Sequence, residues 1–248
     1  MSTEADWTKN NVAFYDSTHN PKFLAGVWAD CPILAAMQDP SIAHMIMEDF
    51  NNVDAATLAG YTVTQASTGT FALAAGAGGI ALADSGSTTV TQGVTVQKLG
   101  ACFVPAADND IWYEGRYKVV DTFDKAELFM GLSISDTGLI TTSANHSTDH
   151  IGWQCVTDDG VMLFTAEKAG AGATKASTTL VEDTWVNLGF HVHGVTSIDH
   201  YINGVKQATT QLTANITVGN LTPSWVCQSG GTNDPILHMD WYKVFQLR

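Results

Sequence analysis

The chain has 248 residues, a formal charge of −14 and a pI near 4.6. Its 11 Lys and Arg are scattered singly, which excludes a partner held by its phosphate backbone and disfavours an anionic membrane. With 45% hydrophobic and 15% charged residues the composition is globular, and a chain of this size buries roughly 70–75% of its unfolded surface without a disulfide staple.

No basic stretch followed by an apolar run opens the chain, so no secretory leader is expected. No apolar run is long enough to span a bilayer. The cysteines Cys31, Cys102, Cys155 and Cys227 are separated by 71, 53 and 72 residues. None forms a C-x-x-C pair, so four reduced thiols and assembly in a cytosol are expected.

Residues 1–46 show neither sustained alternation nor a long helical period. They carry Pro21, Pro32 and Pro40 and the aromatics Trp7, Phe14, Tyr15, Phe23 and Trp28. A disordered tail is poor in aromatics, so this segment reads as an extended arm ordered by packing. Short helices are predicted at Ile33–Gln38 and at Ser41–Met47, the second capped by Ser41.

From residue 47 onward the texture is strands and turns. "EDFNN" is the predicted first strand. "GYTVTQ", "GTFALAA" and "GGIALADSG" follow, and then the alternating "TTVTQGVTVQKLGACFVP". In "DIWYEGRYKVVD", Ile111, Tyr113, Gly115, Tyr117 and Val119 share one side, with Trp112, Glu114, Arg116, Lys118 and Val120 on the other. "AELFMGLSIS" and a hairpin turning at Asp158-Asp159-Gly160 lead to "WVNLGFHVHG", "SIDHYINGVKQATT" and "ILHMDWYKVFQLR". "AAGAGG" and "KAGAGATKAST" read as small-residue loops. About a dozen short strands with turn signals every 8–12 residues predict an all-β sandwich or barrel.

In residues 185–209 the side chains of Val186, Leu188, Phe190 and Val192 form an apolar face. His191 and His193 lie on the opposite face, about 7 Å apart by strand rise. Asn203-Gly204 marks a hairpin turn. His200, on the returning strand, is placed to reach the histidine pair, with Asp199 pointing the other way. A zinc site would need those histidines and a further ligand; no glutamate base accompanies them, and no metal or other cofactor is expected.

The hairpin "DTWVNLGFHVHG…IDHYINGV" resembles that of laminin-G-like and concanavalin A-like jelly rolls, and "LHMDWYKVFQLR" resembles their closing strand. The order of arm, "EDFNN" and jelly roll is similar to tailed-bacteriophage capsid decoration (cement) proteins. That resemblance implies a two-sheet antiparallel β-sandwich over 47–248 and an anchoring arm over 1–46. It also implies a virion protein on the capsid exterior, assembled in the host cytoplasm. The implied partners are the major capsid protein, engaged through Trp7, Phe14, Tyr15, Phe23 and Trp28, and sister copies in a homo-oligomer, a trimer rather than a dimer. Neither nucleic acid nor a membrane is an expected partner.

The fold alone decides no chemistry. A retaining glycanase needs carboxylates about 5 Å apart, and the only E-x-D is Glu4-Ala5-Asp6 in the arm. Glu114 shares its face with Arg116, which favours a cross-strand salt pair. Asp108–Asp110 and Thr232–Pro235 carry oxygen ligands suited to calcium but read as turns. No catalytic residue is expected. The alternative to capsid decoration is a carbohydrate-binding or lectin-like module contacting host glycans through Trp153, Trp185 and Trp225. A degenerate glycanase is the third.

Overall fold

The computed structural model describes residues 7–9, 12–14, 26–51, 53, 58–74, 79–120, 125–136, 147–156, 160–207 and 212–248. Strands β1 (Trp7–Lys9) and β2 (Val12–Phe14) form a small hairpin with Trp7 opposite Phe14. A 3-10 turn at Gly26–Trp28 and helix α1 (Ile33–Gln38) follow. Then come β3 (Ala43–Glu48), β4 (Tyr61–Ala66), β5 (Thr70–Ala74), β6 (Ile80–Asp84), β7 (Gly93–Lys98), β8 (Ile111–Val120), β9 (Ala126–Ile134) and β10 (His150–Cys155). The chain continues through β11 (Val161–Lys168), β12 (Ala171–Thr179), β13 (Val186–His193), β14 (Ser197–Ile202), β15 (Val205–Lys206), β16 (Leu221–Ser229) and β17 (Ile236–Leu247).

Two antiparallel sheets face each other. One runs β12-β11-β10-β9-β16-β7-β4 and the other β15-β14-β13-β8-β17-β6-β5, with β3 also paired to β17. The architecture is the expected two-sheet sandwich. Strict alternation explains its core: Leu188, Phe190 and Val192 of β13 and Ile111, Tyr113 and Tyr117 of β8 are buried between the sheets. They meet Trp153, Phe164 and Trp225 from the facing sheet. The Tyr113 and Phe190 rings stack at 4.8 Å. Trp225 donates its indole N–H to the Tyr117 hydroxyl at 3.1 Å, and the Tyr113 and Tyr117 hydroxyls bond each other. The buried polar ends of the aromatics thus satisfy one another instead of remaining desolvated and unpaired.

β17 breaks alternation once. Met239 pairs with Tyr117 and Trp241 with Arg116, so a bulge at Asp240 resets the parity. Met239 and Tyr242 both face the core, and Trp241 turns outward with Arg116 and Lys243.

A third layer covers part of the outer face of the eight-stranded sheet. Val27, Trp28, Cys31 and Ala36 pack on Trp112, Tyr201, Phe245 and Ala43. Trp28 donates its indole N–H to Glu114 Oε2 at 2.6 Å, and Trp112 donates to Asp30 Oδ1 at 3.1 Å. Gly26 makes the close approach possible. It adopts φ 64°, and a Cβ there would stand 2.7 Å from the Gly204 carbonyl in the Asn203-Gly204 turn.

Three local expectations are corrected. Ser41–Met47 is not a helix: Ala43–Glu48 pairs with Tyr242–Leu247, and Ser41 bonds back to Asp39. Pairing to β17 outweighs the local capping signal because it buries Ala43 and Met45 on one face and Ile46 on the other. "EDFNN" is therefore the end of that strand and a turn, with Phe50 at φ 59°, and the boundary at 46/47 falls inside β3. "KAGAGATKAST" is the turn Ala169-Gly170 and strand β12, recruited by pairing with β11. The turn proposed at Asp158-Asp159-Gly160 begins outside the described residues.

Cys31, Cys155 and Cys227 are buried, Cys102 is exposed, and none is disulfide-bonded. Burial pushes the Cys31 thiol up to about 12 and raises that of Cys227 further. Thiol titration of the native protein should count one rapidly reacting cysteine, and four after denaturation. Two or more fast thiols in the native state would contradict the packing. Trp28→Ala should cost about 3 kcal/mol by denaturant unfolding, as for other buried tryptophans; a loss below about 1 kcal/mol would show that the third layer adds little.

Candidate functional site

The outer face of the eight-stranded sheet gathers most of the exposed chemistry. From β8 it presents Trp112, Glu114, Arg116 and Lys118, and from β17 Trp241, Lys243 and Phe245. Lys243 lies directly opposite Glu114 in register, with Nζ 3.5 Å from Oε2. The expected cross-strand salt pair of Glu114 is therefore with Lys243, and Arg116 pairs instead with Asp240. The Lys243 ammonium stands 4.4 Å from the Trp28 ring centre and 5.1 Å from that of Trp241. It holds the covering layer to one side and leaves Trp241 half-exposed on the other.

Beside Trp241 a cleft of about 340 Å³ opens between the end of β3 and β17. Met47, Glu48, Asp49, Trp241, Tyr242 and Lys243 line it. Met47 is 58% exposed. Its two carboxylates are tied into local structure. Glu48 accepts from the Phe50 N–H at 3.0 Å and lies 3.5 Å from Lys98, while Asp49 accepts from the Asn51 amide at 2.8 Å.

At the far end of the same face, His191 and His193 project outward as the alternation requires. The third member of the predicted set is elsewhere. His200 pairs with Phe190 across the β13–β14 ladder and so points into the core, stacked on Phe164 at 5.1 Å. Asp199, opposite His191 in register, is the residue that shares the histidines' face. The one-residue offset between the two strands' parities was misjudged, and each side chain took the other's place. Asp110, from the turn before β8, completes the group: its Oδ2 lies 3.0 Å from His191 Nε2 and 3.8 Å from His193 Nδ1. His191 stacks on Trp112 at 4.3 Å. Burial, followed by the charge of His193, holds His191 below the ordinary histidine range.

The outer face of the seven-stranded sheet differs. It is polar and closely packed. Gln97 donates to Ser224 Oγ and to the Ile134 carbonyl, each at 2.9 Å, and Ser133 bonds Ser224. His150 is buried there, with Nδ1 3.0 Å from the Ser147 carbonyl and Nε2 3.0 Å from Thr165 Oγ1. A carbonyl only accepts, so Nδ1 donates and carries a proton. Glu127 and Glu167 are the acids of this face on β9 and β11. Glu167 aligns through His150 with Ser133, six residues from Glu127 along β9, roughly 20 Å of strand. That is too far for the two-carboxylate chemistry of either glycosidase class.

Of the expected anchors, Trp28 is docked on its own sheet. Trp7 and Phe14 lie in the β1–β2 hairpin, and Tyr15 and Phe23 lie outside the described residues. Of the expected glycan contacts, Trp153 and Trp225 are fully buried in the core. Trp185 is half-buried, with Arg116 and Lys118 over its ring at 4.9 and 5.4 Å, much as Lys243 lies by Trp241. Trp241 was missed because the bulge reverses its side. The adjacent aromatics Trp241-Tyr242 carried the signal, since two neighbours on one strand cannot both face the core.

No family model and no curated protein matches the chain. Solved structures do. A protein of unknown function from Shewanella oneidensis MR-1 is 13% identical over 84% of this chain and 87% of its own, with a TM-score of 0.60. Endo-1,3-β-glucanase from Streptomyces sioyaensis is 10% identical over 84% and 98%, at 0.59. The carbohydrate recognition domain of Emp47p is 7% identical over 84% and 98%, at 0.52. The fold is thus a concanavalin A-like jelly roll.

The pKa of His150 is lowered to about 4 by burial. The unfolded chain, near 6.5, then takes up this proton first, so stability is complete above pH 6.5, falls as pH drops and has lost the full amount by about pH 4. The loss from this residue is about 3 kcal/mol. His150→Gln should flatten the dependence between pH 6.5 and 4 in denaturant unfolding. An unchanged slope would assign it to other groups.

Proposed function

We propose that this protein binds carbohydrate without cleaving it, and that the cleft beside Trp241 is its contact surface. The carrying observation is the cleft's chemistry: a half-exposed indole, an ammonium and two carboxylates in a concave site about the size of a sugar unit or two. An indole stacks on the C–H face of a pyranose, and the charged groups bond its hydroxyls. The shared framework of the Emp47p carbohydrate recognition domain and the Streptomyces glucanase supports the same substrate class. The non-catalytic reading is supported by the local ties of Glu48 and Asp49 in the cleft and by the wide separation of Glu127 and Glu167 on the opposite face.

Capsid decoration was the leading expectation from sequence, and it placed five aromatic anchors in residues 1–46. Trp28 is packed on its own sheet, which supports the carbohydrate reading over a capsid anchor at that residue.

The test is a binding screen against mannose-rich and β-1,3-glucan oligosaccharides, followed by Trp241→Ala. Wild type should bind at least one class and release no reducing ends. The variant should bind about tenfold or more weakly, a loss of roughly 1.4 kcal/mol, with its melting temperature unchanged. A variant that binds as well as wild type moves the site elsewhere, and a wild type that binds neither class rejects the proposal.

A further inference from the structure

We infer that Asp110, His191 and His193 form a site for one zinc ion, distinct from the Trp241 cleft and independent of the carbohydrate reading. The donor atoms of the three residues all lie within 4.8 Å of one another. Asp110 Oδ2 is 3.0 Å from His191 Nε2 and 3.8 Å from His193 Nδ1. Tetrahedral zinc, with bonds of about 2.0–2.1 Å, holds its donors roughly 3.3 Å apart. Small side-chain rotations bring these three to that spacing around one ion.

What separates this group from an ordinary surface ion-pair cluster is the use of the other atoms. Each histidine turns one nitrogen toward Asp110 and the other toward a different carboxylate. His191 Nδ1 lies 3.6 Å from Asp30 Oδ2, and His193 Nε2 lies 2.9 Å from Asp199 Oδ2. Both outer carboxylates are themselves fixed: Asp30 accepts from the Trp112 indole at 3.1 Å, and Asp199 accepts from Lys206. The remaining oxygen of Asp110 accepts from the Gly194 N–H at 2.9 Å. Metal-binding histidines characteristically donate their remote N–H to a carboxylate, which fixes the tautomer and raises ligand basicity. His193 makes that bond to Asp199 at 2.9 Å, and His191 Nδ1 faces Asp30 at the longer distance of 3.6 Å.

The scaffold is stiff. His191 and His193 are i and i+2 on β13, in the interior of the sheet, and His191 is clamped on Trp112. Two imidazoles and one carboxylate are a donor set that zinc accepts, whereas calcium and magnesium take oxygens. Three protein ligands leave a fourth position for water or an added group. His193 and Asp110, at 30% and 28% side-chain exposure, give the ion a way in.

The site also joins layers. Asp30 belongs to the covering segment, Asp110 to the loop before β8 and the histidines to β13. Zinc binding should therefore raise the melting temperature by mass action.

The experiment is calorimetric titration of zinc chloride into chelator-stripped full-length protein in a non-coordinating buffer, with cobalt(II) absorption as a second readout. Wild type should take up one zinc per chain with micromolar or tighter affinity and give the visible bands of four- or five-coordinate cobalt. His193→Ala should abolish both signals. Asp199→Asn should weaken binding about 10- to 100-fold, and His238→Ala, remote from the cluster, should change nothing. Should His193→Ala melt before it can be titrated, Asp110→Asn is read in its place with the same expectation. Absence of saturable binding by wild type, or one-to-one binding that survives these ligand substitutions, overturns the inference.

Discussion

The register of β13 between β8 and β14 is the constraint on which the rest depends. Phe190 sits opposite Tyr113 on one side and His200 on the other, and His191 sits opposite Trp112 and Asp199. That single setting sends the first group into the core and the second to the outer face. A slip of β13 by one residue would bury His191 and His193 between the sheets and expose Phe190 and Leu188. Two desolvated histidines in an apolar core would cost far more than any pairing there could return. The core and the chemistry of the outer face are two sides of one choice.

The outer face then requires a cover. Trp112, Phe245 and Tyr201 are too large and too contiguous to face water together, and an uncovered patch of that kind is an association surface. Residues 26–42 supply the cover from within the chain, and Trp28 fastens it by a hydrogen bond to Glu114 and a cation contact with Lys243. Among the described residues the cover stops short of Trp241, and the edge of the covered zone forms a cleft with one indole wall. The position of the proposed contact follows from that edge.

Much of this was legible in the sequence. Alternation in "DIWYEGRYKVVD" and "WVNLGFHVHG" gave the inner faces of β8 and β13 correctly, and Asn203-Gly204 marked the hairpin. Failures came where a residue's side depended on something non-local. Ser41–Met47 carried helix-compatible residues but is a strand because β17 offers it a partner. Asp199 and His200 exchanged faces because the length of the connecting turn sets the parity of the returning strand. Trp241 was passed over because a bulge at Asp240 resets alternation, and the pair Trp241-Tyr242 shows that one ring faces out without showing which. Trp153 and Trp225 suggested sugar platforms by type alone; the sandwich needed their volume for its core.

The central claim is a carbohydrate contact at Trp241, and indole N–H signals report on it directly. The chain has seven tryptophans, each with one indole resonance. The resonance of Trp241 is assigned by its absence from a Trp241→Phe spectrum. Titrating a bound oligosaccharide into labelled protein should shift it, leave the buried Trp153 and Trp225 in place, and release no reducing ends on prolonged incubation. Movement of a different indole with Trp241 unchanged, or hydrolysis of the oligosaccharide, would contradict the account.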